Sequence, residues 1–382
     1  MSSESPGKSA VEQVDITDAE EPDHLTSEEE EDLTEADAEI ESVVYSGQDF
    51  DVNGLIRRMR NEDILIPTFG HDDERIISAG FQRSFVWGKP QMDRFIESIL
   101  LGYPIPGIFL IKQSDKRYLV LDGQQRLSTL KYFEDGLYES KEFQLKNVAN
   151  QFKGLTYKTL PATLRRLFDD TFIQATIVSS DGSVESLDSI YKIFERLNSG
   201  GTQLTPHEIR VALFAGPFID YIEDLNKAEA WRDLYGKRSK RLRDQELVLR
   251  IIALYASSAT YKRPLKSFLN SFVTKHRHLN ELDFTLIRDR FTSTSHLIAE
   301  GPGANALRPQ GRQVNAALTE AMFVGLMRRL DDADMPDVDA LTDATAKMKD
   351  DENLLFAVSR STADEDQVSK RLEISTSYLA GI

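Results

Sequence analysis

The densest chemistry in the sequence lies in five consecutive residues, Asp122-Gly123-Gln124-Gln125-Arg126. An aspartate can hold a hard cation or position a water. An arginine presents a planar fork of N–H donors suited to phosphate. Two glutamines bring both donors and acceptors, and a glycine permits a turn that a β-carbon could obstruct. The apolar run ending at Asp122 reads as a buried strand. A helix then begins near Gln124 or Gln125, continuing through Leu127-Ser128-Thr129-Leu130. Its first backbone N–H groups have no intrahelical partner and favour an anion. The expected chemistry is that of a phosphate- or nucleotide-facing loop, with Asp122 as the candidate metal ligand. The same residues also suit a plain helix start, with Asp122 as N-cap and Arg126 as a surface charge. Pattern alone does not choose between the two.

Two other segments bear on that choice. Phe81-Gln82-Arg83-Ser84-Phe85-Val86-Trp87 sets Gln82 and Arg83 among large aromatics. Phe194-Glu195-Arg196-Leu197-Asn198 ends a helix and runs into Ser199-Gly200-Gly201. Thr205-Pro206-His207-Glu208 then restarts one, with Thr205 as N-cap, Pro206 in the first turn and Glu208 in the capping-box position. Other catalytic signatures are missing. The sequence has no His-Glu-x-x-His and no Gly-x-x-x-x-Gly-Lys-Ser/Thr loop. His276 and His278 are the one close histidine pair. Two residues apart on a helix, they point in different directions and read as surface histidines rather than a metal site.

Taken together, these segments resemble the N-terminal domain family of GmrSD-type modification-dependent restriction systems, related in fold to ParB and sulfiredoxin. The resemblance rests on Gln82-Arg83 with Trp87, the Pro104-Ile105-Pro106 turn, Asp122–Arg126 with Leu127-Ser128-Thr129-Leu130, and Phe194–Asn198 with the glycine turn and Leu204. It runs from about residue 52 to at least residue 215. It implies binding and hydrolysis of a nucleoside triphosphate, of unspecified base and usually with Mg²⁺, in bacterial defence against phage. Carried over, Asp122, Gln124, Gln125 and Arg126 would contact phosphate, metal or attacking water. Arg83 would be a second phosphate contact, and Gln82, Gly123, Ser128, Thr129 and Asn198 would complete the nucleotide site. The full systems add a His-Asn-His nuclease, and no such pattern occurs in this sequence. DNA cleavage by this chain alone is therefore not expected. The expected partners are a nucleoside triphosphate, DNA and a separate nuclease subunit, with self-association left open. A non-catalytic nucleic-acid-binding or adaptor protein using the same loop for phosphate is the alternative.

A second charged feature is Lys237-Arg238-Ser239-Lys240-Arg241-Leu242-Arg243. Lys237, Arg238, Lys240 and Arg241 could contact a nucleic-acid backbone, or could simply be a solvated loop or helix start.

The elements that must position these residues divide the chain. Residues 1–50 hold 17 acidic side chains and one lysine, while the remainder holds 46 acids and 45 bases. The net charge of −17 is therefore a property of a tail, not of the folded body. Residues 1–41 read as a disordered acidic tail. It serves either as a solubilising segment or as a nucleic-acid mimic covering a basic site on this chain or a partner. Residues 52–182 read as a small mixed-sheet, ParB/sulfiredoxin-like nucleotide-binding core. Its expected elements are helices at 52–59 and 89–101, a strand at 63–66, a strand pair at 108–111 and 118–121, and a strand at 172–178. Residues 183–382 read as helical, with 3.6-period patterns at 187–197, 206–214, 217–228, 243–257, 264–277, 283–298, 313–330 and 366–379. The fold class is thus α+β, with a mostly helical C-terminal region and no internal repeat. Cysteine is absent, which excludes disulfides, thiolate metal sites and cysteine nucleophiles. With no apolar run of membrane-spanning length and no secretory signal, the expected location is cytoplasmic.

Overall fold

The computed structural model describes residues 26, 28–29, 44–66, 87–113, 115–179, 183–197, 204–309 and 313–382. They group into two compact units. One is Ala36–Ile219; the other combines Met1–Glu35 with Asp220–Ile382. The division falls after Ile219 rather than at residue 182, because the helices Val184–Leu197 and Pro206–Leu213 group with the sheet.

The first unit is built on a five-stranded mixed sheet. Strand β1 (Tyr45–Asp51) leads directly into helix α1 (Val52–Arg60), for which Asp51 is the N-cap, its Oδ1 accepting the Gly54 N–H at 2.7 Å. A short β2 (Ile64–Leu65) follows, then α2 (Lys89–Leu100), β3 (Ile108–Lys112), β4 (Tyr118–Asp122) and α3 (Gln124–Asp135). After a two-stranded ribbon, β5 (Leu137–Tyr138) and β6 (Lys141–Glu142), come α4 (Ala162–Asp169) and β7 (Phe172–Ser179). The sheet order is β1-β7-β3-β4-β2. The β3–β4 and β1–β7 pairs are antiparallel, and β3–β7 and β2–β4 are parallel. β7 alternates, with Ile173, Ala175 and Ile177 buried in the core. Val52, Leu55, Ile56, Met92, Ile96, Ile99, Leu127, Leu130 and Phe133 cover that core from the helices. Helices α5 (Val184–Leu197) and α6 (Pro206–Leu213) complete the unit. The capping box at Thr205 forms as its sequence predicts. Thr205 N–H donates to Glu208 at 2.6 Å, and Glu208 N–H donates to the Thr205 hydroxyl at 3.1 Å.

The second unit is helical: α7 (Pro217–Asn226), α8 (Glu229–Tyr235), α9 (Arg243–Ser257), α10 (Leu265–His276), α11 (Phe284–Glu300), α12 (Ala316–Asp332), α13 (Val338–Lys349), α14 (Glu352–Ala357) and α15 (Glu365–Ala380). Trp231, with no exposure, packs on Phe291 and Phe323 at ring separations of 5.6 and 5.4 Å. α12 and α15 approach closely at Gly325, where a β-carbon would overlap the Ser375 hydroxyl. Three charged residues are buried together in this unit. Arg250 of α9 and Arg371 of α15 each take one carboxylate oxygen of Glu320 on α12.

Three sequence expectations change here. Thr26, Glu28 and Glu29 of the acidic segment have a definite place, and Glu29 is buried, so at these residues the segment is not a disordered tail. His276 is not a surface histidine. It is buried against Phe272 at 4.6 Å, with its Nδ1 3.1 Å from the Asn280 carbonyl, while His278 is exposed. β1 was hidden by its composition. Five of its residues face solvent, as an edge strand allows, so it shows no apolar alternation. Among the described residues, no helix is long and apolar enough to cross a membrane.

Candidate functional site

The Asp122–Arg126 loop forms where β4 leaves the sheet. β4 is irregular just before it. Phe109 faces Asp122 across the β3–β4 pair, but Leu110 faces Val120, which leaves Leu121 as an extra residue. Such a bulge twists the strand end and re-aims the next side chain. Val120 and Leu121 are buried, and Asp122 emerges with half its side-chain surface exposed.

Gly123 makes the turn. Its φ of +100° lies in the left-handed region, and a β-carbon there would overlap Cγ2 of Ile108 on β3. Position 123 therefore requires glycine on two separate grounds, conformation and space. The backbone enters α3 directly, with no side-chain cap and no acidic residue in the first turn. The N-terminal end of a helix carries the positive end of its dipole and favours an anion.

Arg126 lies one turn into α3. Its NH2 donates to Asp122 Oδ2 at 2.6 Å and to the Gly107 carbonyl at 3.0 Å. Its Nε is buried and has no hydrogen-bond partner among the described residues. The guanidinium is thus fixed along one edge and retains an unspent donor. Gln125 Oε1 accepts the Trp87 N–H at 3.1 Å, which ties the loop to the lead-in of α2. Trp87 itself packs edge-to-face on Phe95 at 5.6 Å. Thr129 is fully buried, and its hydroxyl donates to the Gln125 carbonyl at 2.7 Å, so it supports the first turn of α3 from inside. Ser128 and Gln124 are partly exposed. Gln82, Arg83 and Asn198 lie outside the described residues.

One supporting residue escaped the sequence reading. Asp93 on α2 is fully buried and is paired with Lys89. Its Oδ2 accepts the N–H groups of Lys146 and Asn147 at 3.1 and 3.0 Å and the Asn147 side chain at 2.9 Å. Lys89 also lies over the Phe143 ring at 4.0 Å and donates to the Gln144 carbonyl at 2.7 Å. This clamp fixes the first turns of α2, which Trp87 and Gly88 lead into the loop. The i, i+4 Lys–Asp pair is its sequence signal.

In the helical unit, the basic run does not form one exposed face. Lys237, Arg238 and Lys240 are exposed, but Arg241 is buried, and Arg238 is paired with Glu223. Arg243, next in the chain, is paired with Glu29.

No group of three or more His, Cys, Asp or Glu able to hold a metal occurs among the described residues. A cation at this loop would draw on Asp122, with phosphate oxygens and water supplying the other ligands. Mg²⁺ commonly binds in that way.

No curated protein and no solved structure matches the chain. One family model does, over residues 60–215, and its description is GmrSD restriction endonuclease, N-terminal domain. The match spans the bulged β4, the Gly123 turn and Arg126. Residues 60–215 of this chain therefore belong to the GmrSD restriction endonuclease N-terminal domain family, a restriction-system domain.

Proposed function

We propose that the chain is a nucleoside-triphosphate-binding and -hydrolysing component of a bacterial modification-dependent restriction or anti-phage system. In that role it senses DNA or regulates a separate nuclease subunit. The observation that carries this reading is Arg126. Its guanidinium stands at the uncapped start of α3 with a buried Nε donor unspent and its NH2 resting on a half-exposed carboxylate. A phosphate oxygen arriving there meets the positive end of the helix dipole and the arginine fork together. Gly123 lets the backbone come close, since no side chain intervenes. Gln124 and Gln125 would contact phosphate or an attacking water. Asp122, paired with Arg126 here, would hold Mg²⁺ or position a water. Bound Mg²⁺ supplies charge neutralisation at the phosphates, and the residues of the loop supply position. Gln82, Arg83 and Asn198 belong to the same site in this reading, as does the cytoplasmic location.

The test is phosphate release from nucleoside triphosphates with and without Mg²⁺ and DNA. Asp122→Ala and Arg126→Ala are each expected to abolish release while the protein stays folded. Full activity in both variants defeats the assignment. The second reading, an adaptor that uses the loop to hold phosphate without turnover, is favoured by the same Asp122–Arg126 pair. Stoichiometric nucleotide binding with no product would select it.

A further inference from the structure

The helical unit contains a cationic site that part of this same chain occupies. Arg243, at the first position of α9, places Nε and NH2 on the two carboxylate oxygens of Glu29, each at 2.8 Å. One helical face further on, Arg250 brings NH2 within 2.9 Å of Glu28. Glu29 is held by a capping box with Thr26. Thr26 N–H donates to Glu29 at 2.7 Å, and Glu29 N–H donates to the Thr26 hydroxyl at 3.3 Å. Beneath them, Glu320 bridges Arg250 to Arg371.

Arg243, Arg250 and Arg371 are three cations. The helices' own carboxylates beside Arg250 are Glu320 and Glu246. Glu28 and Glu29 bring negative charge to Arg250 and Arg243. Their contacts are polar ones, and the described residues of the segment bring no large apolar side chain. A bidentate arginine fork takes phosphate as readily as carboxylate. Exposed Lys237 and Lys240 lie immediately upstream of Arg243 in the chain.

We propose that Arg243 and Arg250 form a binding site for the phosphates of double-stranded DNA, and that Thr26, Glu28 and Glu29 fill it in cis as a displaceable plug. The choice of DNA over an acidic protein rests on the restriction-system reading above. The plug itself rests on the geometry alone. DNA binding then requires the acidic segment to leave, so a long cationic ligand competes poorly and a polyanion competes well.

The experiment uses the full chain and a short fluorescein-labelled duplex, read by anisotropy at several salt concentrations. E28Q/E29Q is expected to bind about tenfold more tightly than the parent at low salt, and Arg243→Gln in that background is expected to remove the gain. The control E20Q/E21Q removes the same charge elsewhere in the acidic segment and is expected to change affinity less than about twofold. Equal tightening in both glutamine pairs, no tightening in E28Q/E29Q, or a gain that survives Arg243→Gln overturns the proposal. Hydrogen exchange on the unaltered protein covers the case in which E28Q/E29Q fails to fold. Saturating duplex should strip protection from the amides of Glu28 and Glu29. Protection that persists, or that is lost to polyglutamate but not to duplex, overturns the DNA assignment. Phosphate release measured on the same samples is independent of these outcomes, so a failure of the nucleotide reading is seen separately.

Discussion

Two arginine–carboxylate arrangements in this molecule use the same chemistry in opposite settings. Asp122 and Arg126 sit one turn apart at the mouth of a loop, with the carboxylate half exposed and an arginine donor unspent. Glu320 has no exposure, and both of its oxygens are taken, by Arg250 and Arg371. A pair in water contributes little to stability and exchanges partners at small cost. A buried, mutually paired set cannot lose one member without leaving a charge stranded in a poorly solvating interior. The first arrangement suits a ligand, and in the second Glu320 with Arg371 suits a fold.

The sharpest way to break that contrast is at Glu320. Glu320→Gln should lower unfolding stability by roughly 3–5 kcal/mol in a denaturant titration, because buried Arg371 loses its paired carboxylate and Arg250 loses one of its own. A loss under about 1 kcal/mol would place the network with ordinary surface pairs. Gly123→Ala comes next, at roughly 1–3 kcal/mol, from the left-handed φ and the overlap with Ile108. It should also end any phosphate release. Asp122→Ala should move stability by less than about 1 kcal/mol while abolishing phosphate release. A large stability loss there would make the loop structural.

The smallest effect is in pH, and its sign differs between two carboxylates. Burial by itself raises the Glu29 carboxyl, but hydrogen bonds and charge from Arg243, with help from Thr26, outweigh it and hold the group below the usual range. Its contribution to stability is present above the ordinary glutamate range and is lost as pH falls through the lower folded value. Asp220 behaves oppositely. Burial, then the charge of Asp224, pushes it up to about 6. The folded state binds that proton more tightly than the unfolded chain does. Stability from this group therefore rises as pH falls from about 6 towards the ordinary aspartate range. Thermal melts of Asp220→Asn across that interval should lose the rise, and a melt profile identical to the parent's would remove Asp220 from the account.

Much of the frame was legible. Met92, Phe95, Ile96, Ile99 and Leu100 mark the helix over 89–101, and all five are buried in α2. The strand pair around Lys112–Lys116 forms as β3 and β4. In the loop, the strand, the glycine turn and the helix start were all visible. The Leu121 bulge was not, because register depends on the partner strand. Two features were visible in principle and missed. Val338–Lys349 has an Asp337 N-cap and buries Leu341, Ala344, Thr345 and Met348 at helical spacing. Thr26-x-x-Glu29 is a capping-box pattern concealed by the acidic composition around it. The Glu320 network had no local signal, since its members lie in separate helices and meet only on folding.

The chain has two tryptophans, and each unit holds one. Trp231 is sealed among aromatic rings, with its Nε1 donating to Asn226 at 3.0 Å. Trp87 is partly exposed and bonded through its backbone to Gln125. The protein therefore carries two intrinsic fluorophores in environments of different polarity. Trp231→Phe leaves a single emitter beside the loop, so nucleotide titrations can be followed optically with no label. Trp87→Phe leaves an emitter that reports only on the helical half as it melts.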